Sequence, residues 1–332
     1  MSIGVLIVGL GQIGMGYDLG LDPARYVQSH ARAFSQHPAF HLVGAVDPDP
    51  QRREVFGQTY QSPAYADLET ALGRHQPGVV VIATPTPTHK DSLLKVLTLA
   101  HPKMILCEKP LSYDTEDGHL MVNACREKGV GLYVNYMRRS VPGFIEVKRL
   151  LDSGGIKGPV KGVTWYSKGF LHNGSHFFNL MEYWLGPMQA ASVLKKGRTW
   201  GADDFEPDVH VVFEKGEMVF LAAWEEVFSH YTVELLSPSG RLRCEQGGEW
   251  IQWQPAVTDI ASDGGPVLSV QPLAIESGMS RYQWHVTDQL ALGLNGGESE
   301  ICSGRQALVT LESMRDIVSR TAQHSTAQHS TD

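Results

Sequence analysis

The stretch "IGVLIVGLGQIG", residues 3–14, constrains the fold more than any other part of this chain. Its first seven residues contain no polar side chain. A strand with that pattern is covered on both faces, which is the condition of a parallel sheet between layers of helices. Directly behind it stand Gly9, Gly11 and Gly14 in G-x-G-x-x-G spacing, with Gln12 and Ile13 between the last two. There the glycines permit a tight turn and a close backbone approach, and the following helix points its N-terminus at a pyrophosphate. Glycines also make ordinary turns, but a strand before and a helix pattern behind favour the dinucleotide reading.

The pattern recurs. "HLVGAVD" (41–47), "VVVIATP" (79–85), "MILCEKP" (104–110) and "GLYVNY" (131–136) are further apolar runs. Segments with helical spacing separate them, such as "HKDSLLKVLTLA" (89–100) and "TEDGHLMVNACREKG" (115–129). This alternation predicts a doubly wound α/β domain. After a helix over 143–154 the character changes. Strand-like runs follow one another at 159–169, 207–226, 231–246 and 249–254, with "EKGE" and "SPSG" as hairpin turns. They predict a large, mostly antiparallel sheet. Helical segments at 281–294 and 304–321 precede the tail "AQHSTAQHSTD". The expected division is a Rossmann NAD(P)-binding domain at 1–135 and a substrate-binding and oligomerisation domain at 136–332, with a polar, frayed tail at 322–332.

Composition narrows the function classes. With 332 residues, 42% of them hydrophobic, the chain can bury two sizeable cores. A net charge of −8 without a long basic run argues against nucleic acid or a membrane surface as partner. No apolar run approaches the ~20 residues that span a bilayer. Cys107, Cys125, Cys244 and Cys302 lie far apart, so neither a disulfide framework nor a metal site is expected. The N-terminus lacks a basic segment and a small-residue cleavage site, and a cytoplasmic location is expected.

Asp47 ends the second apolar run. A carboxylate there can bond both ribose hydroxyls and repels a 2′-phosphate, which favours NAD over NADP. The ordinary alternative is a turn aspartate before Pro48, and Arg52 and Arg53 just downstream leave NADP open. Asp47 stands 33 positions after Gly14, against a usual ~20. The excess falls in 15–28, read as an insertion between the turn and its helix. It can serve as a lid, a subunit contact or a plain surface loop.

"GLGQIG", "ATPTPTH", "CEKPLS", "NYMRR" and "NGSH" occur in this order along the chain. Together they resemble the glucose–fructose oxidoreductase / inositol dehydrogenase (Gfo/Idh/MocA) family, over essentially the whole length. The resemblance implies a Rossmann domain followed by an α/β domain with a large open sheet. It also implies NAD(P)-linked chemistry on sugars, inositols or nucleotide-activated sugars, and a homodimer or homotetramer packed through the sheet.

Lys109 ends a strand at the edge where doubly wound sheets bind ligands. Its ammonium can stabilise a developing alkoxide and position a carbon for hydride transfer. Thr84 and Pro85 are expected along the cofactor, and His89 opens the next helix, where it can also serve a structural bond. The resemblance places Glu108 near the nicotinamide. Relatives commonly carry Asn at the position of Thr86. They often read D-x-G-x-H-x-x-D where this chain has "HNGSHFFN", 172–179. By that match His176 is the acid/base, an imidazole suited to moving the hydroxyl proton. His172 stands where relatives place an aspartate, so His176 is expected to be less basic than usual. His172, Asn173 and Lys168 are candidate substrate contacts, as are Asn135 and Tyr136. Arg138 or Arg139 can bind a carboxylate or phosphate bidentately, or form an interdomain ion pair. The expectation is an NAD-dependent oxidoreductase acting on a sugar-like secondary hydroxyl or ketone. The alternatives are a glycosidase-type enzyme with transient oxidation, and a non-catalytic NAD(P)-binding sensor.

Overall fold

In the computed structural model, which describes residues 2–201, 204–224, 227–258 and 264–327 (side chains to 320), the apolar runs of the first half pair as one parallel sheet. Its strands are β1 (Ile3–Val8), β2 (Phe40–Val46), β3 (Ala64–Tyr65), β4 (Val79–Ile82), β5 (Met104–Cys107) and β6 (Gly131–Val134), in spatial order 3-2-1-4-5-6. Between them run α1 (His30–Gln36), α2 (Pro50–Tyr60), α3 (Leu68–Arg74), α4 (His89–Leu99) and α5 (Thr115–Glu127). Successive side chains of a strand point to opposite faces, and both faces are filled. Leu6, Val80, Ile82 and Ile105 pack with Leu93 and Met121 on one side. Val5, Ile7, Val79, Val81 and Leu106 pack with Phe34, Val286 and Leu290 on the other. Burying each such side chain contributes roughly 1.5–3 kcal/mol, which is why the central strands β1, β4 and β5 carry no polar residue. The helix α2 has no apolar stripe in sequence. It is set by Asp49, whose carboxylate caps the N–H of Gln51, and by Pro50 at its first position.

The chain packs as two units, 1–140 with 280–311, and 141–279 with the chain from 312 onward. The single division expected at 135 therefore differs from the packing. Residues 136–140 and 280–311 belong with the Rossmann unit, because Val286, Leu290, Ile301, Cys302 and Leu308 complete its two cores.

The second unit holds α6 (Pro142–Asp152), β7 (Val160–Tyr166), α7 (Ser175–Leu185), β8 (Met188–Lys195), β9 (Thr199–Trp200), β10 (Asp204–Phe205), β11 (Asp208–Phe213), β12 (Gly216–Ala222), β13 (Thr232–Ser237), β14 (Gly240–Glu245), β15 (Trp250–Thr258), β16 (Pro266–Leu268) and β17 (Leu273–Ile275). Its nine-stranded sheet runs 16-15-14-13-7-12-11-8, with β17 also on β15. Only β7 and β12 pair in parallel. One face is apolar and closed: Val209, Val211, Met218, Phe220, Leu235 and Leu242 are buried, and Phe178 of α7 packs on Phe213 and Phe220. The other face carries Lys161, Trp165, Glu234, Leu236, Arg241, Arg243 and Trp250 in register. The last helix spans Gly304–Ala327. Residues 322–327 of the expected frayed tail are thus helical, and 328–332 lie outside the described residues. No helix among the described residues is long and apolar enough to cross a membrane.

Candidate active site

Backbone bonds run sideways across the carboxyl edge of the parallel sheet. Gly9 N–H donates to Val46 O, Ala83 N–H to Val8 O, Glu108 N–H to Ile82 O, and Asn135 N–H to Cys107 O. The glycine turn, the Thr84 turn, the Glu108–Lys109 turn and Asn135 therefore line one edge in fixed register, where open α/β sheets bind ligands.

The glycine turn fits a dinucleotide. Gly9 has φ +100°, and a Cβ there would lie 2.6 Å from Ala83 O. A Cβ on Gly14 would run into the Gly9 carbonyl, whereas Gly11 faces open space. The backbone N–H groups of Gly11, Gln12 and Ile13 donate to nothing among the described residues. A pyrophosphate accepts from donors of this kind. Asp47 is buried, and its two oxygens accept from Leu10 N–H (2.7 Å) and Asp49 N–H (2.9 Å). Each carboxylate oxygen keeps a further lone pair for a ribose hydroxyl. The Arg52 guanidinium stands 3.6 Å from Asp47 with its side chain half exposed, and Arg53 is turned to the carbonyls of Asp47 and Pro48.

The insertion is a loop spliced out of the first helix. Residues 11–17 start a helical turn, with Met15 N–H on Gly11 O and Tyr17 N–H on Gln12 O. The ladder then resumes at α1: His30 N–H donates to Ile13 O and Ala31 N–H to Gly14 O. His30 takes the place residue 17 would hold in an unbroken helix. Without the thirteen positions 17–29 that this substitution skips, the spacing to Asp47 returns to the ordinary ~20. Asp18, fully buried, closes the loop. It accepts from the N–H groups of Gln28 and Ser29 and from the Ser29 hydroxyl, and Arg32 approaches it at 3.6 Å. The loop ends are thereby fixed, while 19–25 stay exposed.

Around Lys109 the chain builds a buried polar cluster. Glu108 Oε1 accepts from Asn135 Nδ2 at 2.6 Å and meets His30 Nε2 at 2.8 Å. Burial pushes the Glu108 carboxyl up, but the bond and charge of His30, the bond of Asn135 and the charge of Lys109 together hold it below its usual range. Burial lowers the Lys109 amine to about 8, with Glu108 opposing and Arg138 adding to the fall. The peptide between Lys109 and Pro110 is cis. Arg138 and Tyr136 are buried in the same unit, Arg138 in the turn Met137–Ser140. His89 is placed differently from a cofactor contact. It is fully buried, with Nε2 2.9 Å from Thr84 O and Nδ1 3.2 Å from Leu111 O. Both ring nitrogens face backbone carbonyls, so it fastens the Thr84 turn to the segment after Pro110. Burial, the largest influence, depresses its pKa. Thr84 Oγ1 is buried without a hydrogen-bond partner among the described residues, an acceptor and donor left for a ligand. Pro85 is exposed at the same turn.

In the second unit "HNGSH" is not a plain helix start. Gly169–Gly174 form a π-helical turn that runs straight into α7, a geometry frequent at functional sites. Lys168 enters it in the left-handed region, φ +64°. Lys168, His172, Asn173 and His176 are all half-buried. Two buried carboxylates that the sequence reading missed hold the turn. Asp204 accepts from the N–H groups of Leu171 (3.0 Å) and His172 (2.9 Å), and Glu206 from those of Lys168 (2.9 Å) and Gly169 (3.2 Å). Glu206 is in turn paired with Arg198 at 2.6 Å. Burial raises the pKa of Asp204. The His172 ring stacks on Trp200, centroids 5.0 Å apart, and Asn173 Nδ2 donates to the Tyr231 hydroxyl at 2.7 Å. A carboxylate from β10 thus meets the backbone of His172, not its ring. Its only trace in sequence is an acidic pair, Asp204 and Glu206, in a short polar segment. No cluster of metal-ligating side chains occurs among the described residues.

Residues 3–136 match the model of an oxidoreductase family with an NAD-binding Rossmann fold. A scyllo-inositol 2-dehydrogenase (NAD(+)) of Bacillus subtilis is 34% identical over 140 residues, 40% of this chain and 37% of that protein. A 2,7-anhydro-N-acetylneuraminate hydratase of Mediterraneibacter gnavus is 22% identical over 277 residues, 74% of this chain and 69% of that protein. The aligned stretches cover between 23% and 69% of the lengths of the curated relatives compared. The WlbA dehydrogenase of Bordetella pertussis, solved with NADH and UDP-GlcNAcA, superposes with a TM-score of 0.74 at 18% identity, over 97% of each chain. That likeness fixes the fold.

Proposed function

We propose, on the premise that this chain belongs to the Gfo/Idh/MocA oxidoreductase family, that it transfers hydride between a nicotinamide dinucleotide and a secondary carbinol or ketone of a sugar, cyclitol or nucleotide-linked sugar. The observation that carries this reading is Lys109, directly after the buried Glu108 carboxylate on the same sheet edge as the glycine turn. Bound dinucleotide supplies the carbon that accepts or gives the hydride. Gly9, Gly11, Gln12, Ile13 and Gly14 hold its pyrophosphate, Asp47 its ribose, and Thr84, Pro85 and Glu108 its nicotinamide end. Lys109 donates to the carbinol oxygen and stabilises it as the proton leaves. His176 takes that proton during oxidation and returns it during reduction. Lys168, His172, Asn173, Asn135, Tyr136 and Arg138 are the substrate contacts in this reading.

NAD is the favoured cofactor, because the Asp47 carboxylate repels a 2′-phosphate. Support for the substrate class comes from the inositol named for the Bacillus subtilis relative and the nucleotide sugar bound to WlbA. The outer sheet face, with Trp165, Leu236 and Trp250 at 37%, 49% and 59% exposure, supports a homo-oligomer packed through it. Native mass spectrometry reads subunit count and retained cofactor together.

The test is NADH fluorescence titration followed by a panel of cyclitols, sugars and nucleotide sugars at 340 nm. Turnover is expected to have an alkaline limb near pH 8, since Lys109 is an ammonium only below about 8. Lys109→Ala is expected to lower kcat by about 10³-fold with NADH affinity little changed. Full turnover in that variant removes Lys109 from the chemistry, and absence of nucleotide binding overturns the whole reading. A second reading, an enzyme that holds its dinucleotide and oxidises the substrate only transiently, has one specific support: the hydratase relative aligns with 74% of this chain, the inositol relative with 40%. Turnover with no net change at 340 nm identifies that case.

A further inference from the structure

We infer that His30 is a positioning residue for Lys109, acting through the Glu108 carboxylate, and that the spliced-out loop 18–29 sets its place. The inference rests on the reading of Lys109 given above and extends it to the control of that residue's charge. Three observations converge. His30 is 1% exposed and reaches Glu108 at 2.8 Å. It is the first residue of α1, and its own N–H is tied to Ile13 of the glycine turn. The residue before it, Ser29, is gripped by Asp18 through both backbone and hydroxyl. The loop thus ties down its last residue, and the next one, His30, directs Nε2 at the carboxylate beside Lys109.

The charged and titratable groups around this carboxylate come from every neighbouring element. They are His30 from α1, Cys107 and Lys109 from the end of β5, His89 from α4, Arg138 from the turn after β6, and Tyr282 from the helix Tyr282–Leu294. Asn135 adds a neutral donor. Of these, Glu108 is the group that raises the Lys109 amine against burial. A buried carboxylate that loses a donor takes up a proton more readily. His30 also holds that carboxylate in place beside Lys109; an ionised carboxylate freed to turn away supports the ammonium less, so Lys109 deprotonates at lower pH. Without His30 the protonated amine is lost first at the alkaline end of the working range, and then closer to neutrality.

The experiment reads the amine itself. Heteronuclear NMR of protein labelled with 13Cε-lysine follows the titration, with the spectrum of Lys109→Arg assigning the resonance. The unmodified protein is expected to titrate at about 8. His30→Ala and His30→Asn, which cannot reach Glu108, are expected to move Lys109 down by about one unit or more. His30→Gln places an amide donor where Nε2 stands and is expected to restore the original midpoint. The alkaline limb of kcat shifts with the NMR midpoint. Unchanged Lys109 titration in both His30→Ala and His30→Asn overturns the inference, as does a His30→Gln shift equal to theirs. If the two loss variants fail to fold, Asn135→Ala removes the other donor from the same carboxylate. It is expected to move Lys109 the same way, and no movement there overturns the inference equally. The NMR reading needs no substrate. Lys109→Ala with full turnover would therefore sink the proposed chemistry while leaving the His30 result standing on its own.

Discussion

The two turns that carry the candidate groups are held in opposite ways. At 108–110 the charge lies inside the turn, and His30 of α1 and Asn135, directly after β6, close on it. At 168–174 the turn offers bare backbone N–H groups, and two carboxylates from the 204–206 segment reach in to accept them. The first arrangement governs the charge of a side chain. The second governs the shape of a backbone, including a π-helical turn that pays for its irregular geometry with charge-assisted bonds. Perturbing the first is expected to show in pH dependence, and perturbing the second in geometry at constant pH.

Among changes to the scaffold, the largest expected effect belongs to the glycine turn on the same sheet edge as the first turn. In Gly14→Ala the new methyl meets the Gly9 carbonyl. Nucleotide affinity is expected to fall by at least about 100-fold, with a stability loss of roughly 2–4 kcal/mol. NADH titration and urea unfolding measure both. Normal binding in that variant would mean the turn can reshape, and that its rigidity does not matter to the comparison.

Next comes the second turn. Asp204→Ala leaves the N–H groups of Leu171, His172 and Phe205 without their acceptor. At ~1–3 kcal/mol for an unsatisfied buried group, relaxation and water entry included, a loss of about 3 kcal/mol is expected. kcat should drop at least about tenfold while NADH affinity stays put. Asp204→Asn keeps one acceptor oxygen, enough for Leu171 and Phe205, but sets its NH2 against the His172 N–H, so it should recover part of the loss. Equal losses for both variants would place the whole effect on the second oxygen and its bond to His172.

The smallest effect tests the ribose end. Arg52→Ala removes a half-exposed guanidinium beside Asp47. A surface pair of this kind is worth ~0.2–1 kcal/mol, so NADP affinity should weaken by about two- to fivefold with NAD changed less. A larger loss for NAD than for NADP would reverse the assigned roles of Arg52 and Asp47.

Legibility in the sequence followed the same division. Runs such as "VVVI" could be placed because a fully covered strand tolerates no polar residue. The strand β8 could not, because its side chains are exposed or half-exposed almost throughout and leave no alternation to read. The helix α2, with only Phe56 buried, was missed for the same reason. Gly9 and Gly14 were singled out from local spacing, and Lys109 from its place at the end of an apolar run together with the family resemblance. His89 was also singled out, yet its ring is spent on two carbonyls, a fate that spacing does not record.

The sequence by itself determined the parallel sheet, the glycine turn at its edge and the placing of Lys109 at the end of a strand, since each depends on residues adjacent in the chain. Only the tertiary structure decided that residues 280–311 complete the first unit's cores. It alone decided that the long 15–28 segment begins inside a helical turn and continues as a loop spliced out of that helix, and that Glu108 answers to His30 across 78 positions of chain. It also brought Asp204 to the backbone of His172, where the local sequence lacks an acid. The reason is physical. Strand and turn preferences are local, whereas a buried charge is settled by whichever donors and acceptors the fold brings within about 3 Å of it.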